Sequence, residues 1–205
     1  MHLHRLAARC AFLAILAICA SVSPAPAETK RDMQAAKAAA AVAALDFNGT
    51  RYLHRWSAKN QHEFTPPEQQ DLSRWQQMLT FITHPQLSDD ADVRKLAEVS
   101  RDFYKSIGGG ILKTASTAPT PDRATEYLVA AMLPGKDFTE VVFTRIAAHD
   151  GGALVTILAQ RHYGEGHAQA AAMWLKANGE TAERELMAWT GLPGLKQLQA
   201  LPQAK

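Results

Sequence analysis

The chain has 205 residues, two cysteines and 22 basic side chains against 20 acidic ones. Nothing in a balance this close suggests a nucleic-acid or anionic-membrane partner, which would need a clustered basic face. Both cysteines, Cys10 and Cys19, lie near the N-terminus, so thiol catalysis and Cys-ligated zinc are excluded from the rest of the chain.

Residues 1–27 read as a secretory signal peptide. His2, His4, Arg5 and Arg9 make a basic start without an acid, residues 11–22 (AFLAILAICASV) are apolar, and Ala25-Pro26-Ala27 puts small residues before Glu28. The apolar run falls short of the ~20 residues a spanning helix needs. Leu16-Ala17-Ile18-Cys19 has the order of a lipobox, but Ile18 stands where a small residue is required, so Cys19 belongs to the apolar run. Cleavage removes two of the 22 basic residues and none of the 20 acidic ones, leaving a neutral, cysteine-free mature chain. The expected destination is the periplasm or the exterior, with no membrane span after cleavage. Residues 28–190 are expected to form one domain with its own core, and residues 191–205 a flexible C-terminal tail.

Residues 30–45 (KRDMQAAKAAAAVAAL) are alanine-rich and predict a helix stopped near Asn48-Gly49. Residues 52–57 and 62–65 predict a hairpin of short strands. Thr65-Pro66-Pro67-Glu68 carries the spacing of a capping box with proline at the first helical position, which predicts a short helix to Arg74. Residues 77–84 (QMLTFITH) predict a strand ended by Pro85. Ser88-Asp89-Asp90 opens a helix whose apolar stripe is Val93, Leu96, Val99, Phe103 and Ile107, stopped by Gly108-Gly109-Gly110.

Four strand-like runs follow, over 111–118, 125–133, 138–148 and 153–163. Asp150-Gly151 is the strongest hairpin signal, because a type I′ turn needs positive φ at both central positions. A two-residue loop there pairs His149 with Gly152, Ile146 with Val155, Thr144 with Ile157, Val142 with Ala159 and Glu140 with Arg161. A slip of one residue would move every side chain to the other face. Residues 168–177 predict a helix ended by Asn178-Gly179, and residues 180–189 a second one ended by Gly191 and Pro193. Leu195, Leu198 and Leu201 have helical spacing in the tail. Trp75, Trp174 and Trp189 are expected in the core.

Segregated helices around a mainly antiparallel meander of about five or six strands make an α+β fold. This order of elements resembles the PsbP-like α/β/α sandwich, which implies a non-catalytic binding or assembly-accessory role. YLHRWSAKNQHEFTPPEQQDLSRW, with the later LKANG and LMAW segments, resembles a group of uncharacterised proteobacterial exported proteins. That likeness implies a compartment and no activity.

Familiar catalytic signatures are absent. There is no G-x-S-x-G elbow. His62-Glu63 begins like H-E-x-x-H, but Pro66 occupies the second histidine's place. Residues 108–114 (GGGILKT) lack the glycine before the lysine and run from helix to strand, the reverse of a P-loop. Ser57, Ser73 and Ser116 could each meet a histidine, and nothing favours one combination. Two groups remain. His54, Arg55, Trp56 and His62 would face one another across the first hairpin, where Arg55 could engage a carboxylate and Trp56 could stack on a ligand. His162, Glu165 and His167 fall in one glycine-rich turn and could ligate a divalent metal. The expectation is an exported, non-catalytic accessory or ligand-binding protein without a cofactor, serving an envelope protein or a small ligand. The alternative is a metal-dependent enzyme built on His162, Glu165 and His167.

Overall fold

A computed structural model describes residues 43–120 and 123–204. Residues 1–27, expected as a signal peptide, and most of the alanine-rich segment lie outside these residues. The elements are β1 (Ala44–Phe47), β2 (Thr50–Ala58), β3 (Gln61–Thr65), β4 (Gln77–His84), α1 (Asp90–Ser106), β5 (Gly110–Ser116), β6 (Tyr127–Pro134), β7 (Phe138–His149), β8 (Gly152–Tyr163), α2 (His167–Ala188) and α3 (Leu195–Gln199). The eight strands form one sheet in the order β1-β2-β3-β4-β8-β7-β6-β5, every neighbouring pair antiparallel. It is two four-strand meanders joined edge to edge by β4 and β8. The expected α+β class holds, with eight strands where five or six were anticipated.

The β7–β8 hairpin turns at Asp150-Gly151, with φ of 50° and 79°, and its register is the one the turn dictates, from His149 opposite Gly152 to Glu140 opposite Arg161. Alternation along each strand feeds two cores. One face carries Phe64, Leu79, Phe81, Val141, Phe143 and Leu154 under α2 and α3. The other carries Met78, Ile82, Val129, Val142, Ile146 and Val155 under α1. The molecule is therefore a helix–sheet–helix sandwich. Among the described residues no helix is long and apolar enough to cross a membrane.

Several local expectations give way to tertiary contacts. Residues 44–47, expected as the end of a helix, are β1, and Asn48-Gly49 makes a second positive-φ hairpin turn (48° and 74°) in place of a helix stop. No helix follows Thr65. The Thr65 hydroxyl donates to the Gln69 carbonyl, and Arg55 takes the carbonyls of Pro66 and Pro67 at 3.0 Å each, so the first acceptors of the would-be helix are already occupied. The Asp89 side chain caps α1 through the Asp92 N–H at 2.7 Å, but the helix is rotated from its expected face. It buries Val93, Ala97, Ser100 and Tyr104, while Val99 and Ile107 stay 44% exposed.

The C-terminal third differs most. Asn178-Gly179 interrupts nothing, and α2 runs 22 residues through it. The face it lays on the sheet is made of Ala171, Gly179, Ala182 and Leu186, and the first three are small enough to bring the helix close to the sheet. The burial they make possible outweighs the ~1 kcal/mol that glycine costs inside a helix. Trp75 is buried as expected, while Trp174 and Trp189 are half-buried against the α2-side core. Leu195, Leu198 and Leu201, expected in a loose tail, are at most 3% exposed and belong to that core.

Candidate functional site

The concavity with the composition of a binding site lies between the sheet and α2, at the end where the β1–β2 turn meets the helix. It measures about 180 Å³ and is lined by Phe47, Tyr52, Leu158 and Trp174 together with Asn48, Thr50, Gln77, Gln160, Asn178 and Thr181. Period-two alternation places Tyr52, Gln77 and Gln160 on one face, and Gln77 stands directly opposite Gln160 in the β4–β8 ladder. The Tyr52 hydroxyl reaches Gln77 Oε1 at 3.5 Å. Burial, aided by the negative charge of Glu68, pushes that phenol up to about 12, so it remains a neutral donor. No lining residue carries a charge. Aromatic faces beside amides and hydroxyls suit a small uncharged molecule with hydrogen-bonding edges.

A second, smaller pocket of about 50 Å³ lies on the α1 side, between Met78, Ile82, Tyr104 and Leu133. Its polar end is closed by an ion pair in which Arg161 Nε donates to Glu140 Oε2 at 2.7 Å. The guanidinium also lies between two rings, 4.0 Å from Trp75 and 4.2 Å from Phe138. With its charge paired and both faces covered, Arg161 serves the packing of the 66–76 loop.

The hairpin group meets only in part, and for structural ends. A bulge between His54 and Trp56 turns His54 and Ser57 to the same face. His54 Nε2 lies 2.7 Å from Ser57 Oγ, and Ser57 Oγ lies 2.8 Å from His62 Nδ1. Ser57 and His62 are fully buried, so this serine–histidine contact meets no substrate. Burial lowers the pKa of both imidazoles, that of His62 to about 4 with the charge of His54 adding to the effect. Arg55 points away from this network and is spent on Thr65, Pro66 and Pro67. Trp56 is half-buried.

The turn group does not converge. His167 Nδ1 bonds to Thr139 Oγ1 at 2.7 Å, the His162 ring packs against Trp174 with centroids 6.1 Å apart, and Glu165 is exposed. Among the described residues no three His, Cys, Asp or Glu side chains are placed to hold a metal ion.

None of the groove residues stood out in the sequence, because they come from β1, β2, β4, β8 and α2 and meet only after folding. One signal was present. Gln160 pairs with Val141 and neighbours the Phe143–Leu158 pair on the α2-side face of the β7–β8 hairpin, and a polar side chain beside such a pair marks either a buried bond or a wet concavity.

No family model matches the chain, and no curated protein does. Among solved structures the chain is similar to human STARD10, with 11% identity over 88% of this chain and 81% of that one, at a TM-score of 0.29. A likeness at that level places the chain in no family.

Proposed function

We propose that the protein is an exported, non-catalytic binding protein that takes a small uncharged ligand in the groove between the sheet and α2. The observation that carries this reading is the lining itself, which offers aromatic faces, amides and hydroxyls and no charge in about 180 Å³. At that size, below the ~300–1,000 Å³ of drug-sized pockets, the ligand is small, or it is one group of a larger molecule. Among the described residues the serine bonded to histidines, Ser57, is sealed from solvent, which supports binding without turnover. The basic start, apolar run and Ala25-Pro26-Ala27 of the N-terminus support export. The likeness of element order to PsbP-like proteins points the same way.

The test is a thermal-shift and tryptophan-fluorescence screen of the mature chain against neutral sugars, uncharged amides and nucleobases, with charged analogues alongside. Neutral compounds should bind, and Thr181→Trp, an exposed position at the mouth of the groove, should abolish binding with the fold intact. The reading fails if charged compounds alone bind or if the Trp variant binds as well as the wild type. It also fails if a broad hydrolase panel finds turnover that one His→Ala change removes.

A further inference from the structure

Residues 193–204 cross the α2-side face as a strap. At one end His149 Nε2 donates to the Pro193 carbonyl at 3.1 Å and Asp150 Oδ2 accepts from the Leu195 N–H at 3.2 Å. In the middle Leu195, Leu198 and Leu201 sink into the core shared with Phe64 and Phe81, and α3 packs on β4. At the other end the Ala204 N–H donates to the Ser57 carbonyl at 2.7 Å, on the edge of β2 beyond the reach of β1. The path from Asp150 to Ser57 takes the strap across the part of the face that carries Ser57 and His62.

The hydrogen bonds beneath it leave a charged His62 with no acceptor at Nε2. A serine hydroxyl has one proton to give. With His54 Nε2 and His62 Nδ1 both on Ser57 Oγ, at most one imidazole can accept from the hydroxyl, so at least one donates an N–H to its oxygen. His62 Nε2, on the far side of the ring, is buried and has no hydrogen-bond partner among the described residues. As a bare lone pair this nitrogen is tolerable. In the imidazolium form it becomes a charged N–H aimed at apolar surroundings, a costly state to bury. Among the described residues no acceptor takes a proton from Nε2. Phe64 lies edge-on to His54 at 5.3 Å, Phe81 stands opposite His62 on β4, and both belong to the core that the strap leucines enter. The titratable group that acts on His62 is His54, another base. The titratable groups that hold the strap, His149 and Asp150, sit at its far end.

We infer that the C-terminal strap is an acid-released cover, held shut by the neutral His54–Ser57–His62 network and opened when His62 gains a proton and needs water at Nε2. Opening bares the leucine row and the Phe64–Phe81 surface while the β7–β8 hairpin, which shares no bond with this network, stays folded.

Hydrogen exchange of the mature chain at pH 7.5 and 4.5, corrected for intrinsic rates, tests this. The strap amides Leu198, Ala200, Leu201 and Ala204 should exchange at least about tenfold faster at the lower pH, with the β7–β8 amides unchanged. In His62→Phe the acceleration should vanish. A proton NMR titration of wild type should find the His62 ring protonating at the pH where the strap opens, a readout that stands even if the Phe variant does not fold. Equal acceleration of strap and hairpin, an unmoved strap, or a His62 that titrates at another pH would each overturn the inference.

Discussion

Two buried polar clusters hold the C-terminal third to the sheet, and they do so with opposite chemistry. At the end of α2, Arg145 is bidentate to Glu126 at 2.8 and 2.9 Å and also donates to the Leu186 and Trp189 carbonyls at 3.0 and 2.8 Å. Arg123 adds a bond to Glu126 at 2.8 Å. Two arginines share the Glu126 carboxylate, and the helix end gains a cap for carbonyls it cannot satisfy itself. Burial works against the Glu126 carboxylate, but the hydrogen bonds from Arg123 and Arg145 outweigh it and hold the group below the usual carboxylate range. Under the strap, His54, Ser57 and His62 are joined without any ion. The first clamp needs its charges and the second is harmed by charge. One molecule therefore carries a fastening that tolerates mild acid beside one that does not.

The largest effect should come from breaking the charged clamp. Arg145→Ala leaves Glu126 buried without its main partner and frees two carbonyls at the end of α2, which should cost about 3–5 kcal/mol of unfolding free energy. Urea denaturation at pH 7 measures it, and a loss under about 1 kcal/mol would make the clamp incidental.

The next effect is the pH response of the neutral network. His62 has a folded pKa of about 4 against an ordinary 6.5, so the unfolded chain binds its proton first as pH falls. Stability is full above about 6.5, declines as pH drops toward 4 and is level below that, a loss of about 3 kcal/mol. Glu126, held below the usual carboxylate range by its arginines, gives up its charge later than an ordinary carboxylate. Urea midpoints across pH 4–7 should therefore fall in wild type and stay flatter in His62→Phe. A parallel decline in both would assign the pH dependence elsewhere.

The smallest of the three effects sharpens the strap's role. A Cβ on Gly152 would lie 2.7 Å from Leu195 Cδ1, 2.8 Å from the His84 carbonyl oxygen and 2.8 Å from Pro85 Cα. Since backbone cannot yield as a side chain can, Gly152→Ala should cost about 1–3 kcal/mol and lift the start of the strap. Limited proteolysis should then cut first near 190–195. Cleavage at the β1–β2 turn instead would show that the strap does not depend on this contact.

Local chemistry carried parts of this fold in full. Asp150-Gly151 set the β7–β8 register residue by residue, because a two-residue turn and a buried face leave one solution. Residues 77–84 became β4 with the expected bounds, and the acid-capped start of α1 is where Asp89 put it. The candidate site was less legible. Arg55 and the histidines met bonding partners that sequence spacing does not reveal, and the groove gathers residues from five elements.

What the amino-acid order determined by itself were the features closed within a few residues, namely turns that need positive φ, caps, and alternation along a strand. What only the tertiary structure decided were outcomes where a distant surface competes with a local signal. Gly179 stays helical within a helix whose small-residue face packs on the sheet, Thr65-Pro66-Pro67 starts no helix where Arg55 takes the Pro66 and Pro67 carbonyls, and the final leucines form a strap because an apolar face awaits them. Local preferences amount to about 1 kcal/mol or less per residue, and burying even one large apolar side chain is worth more.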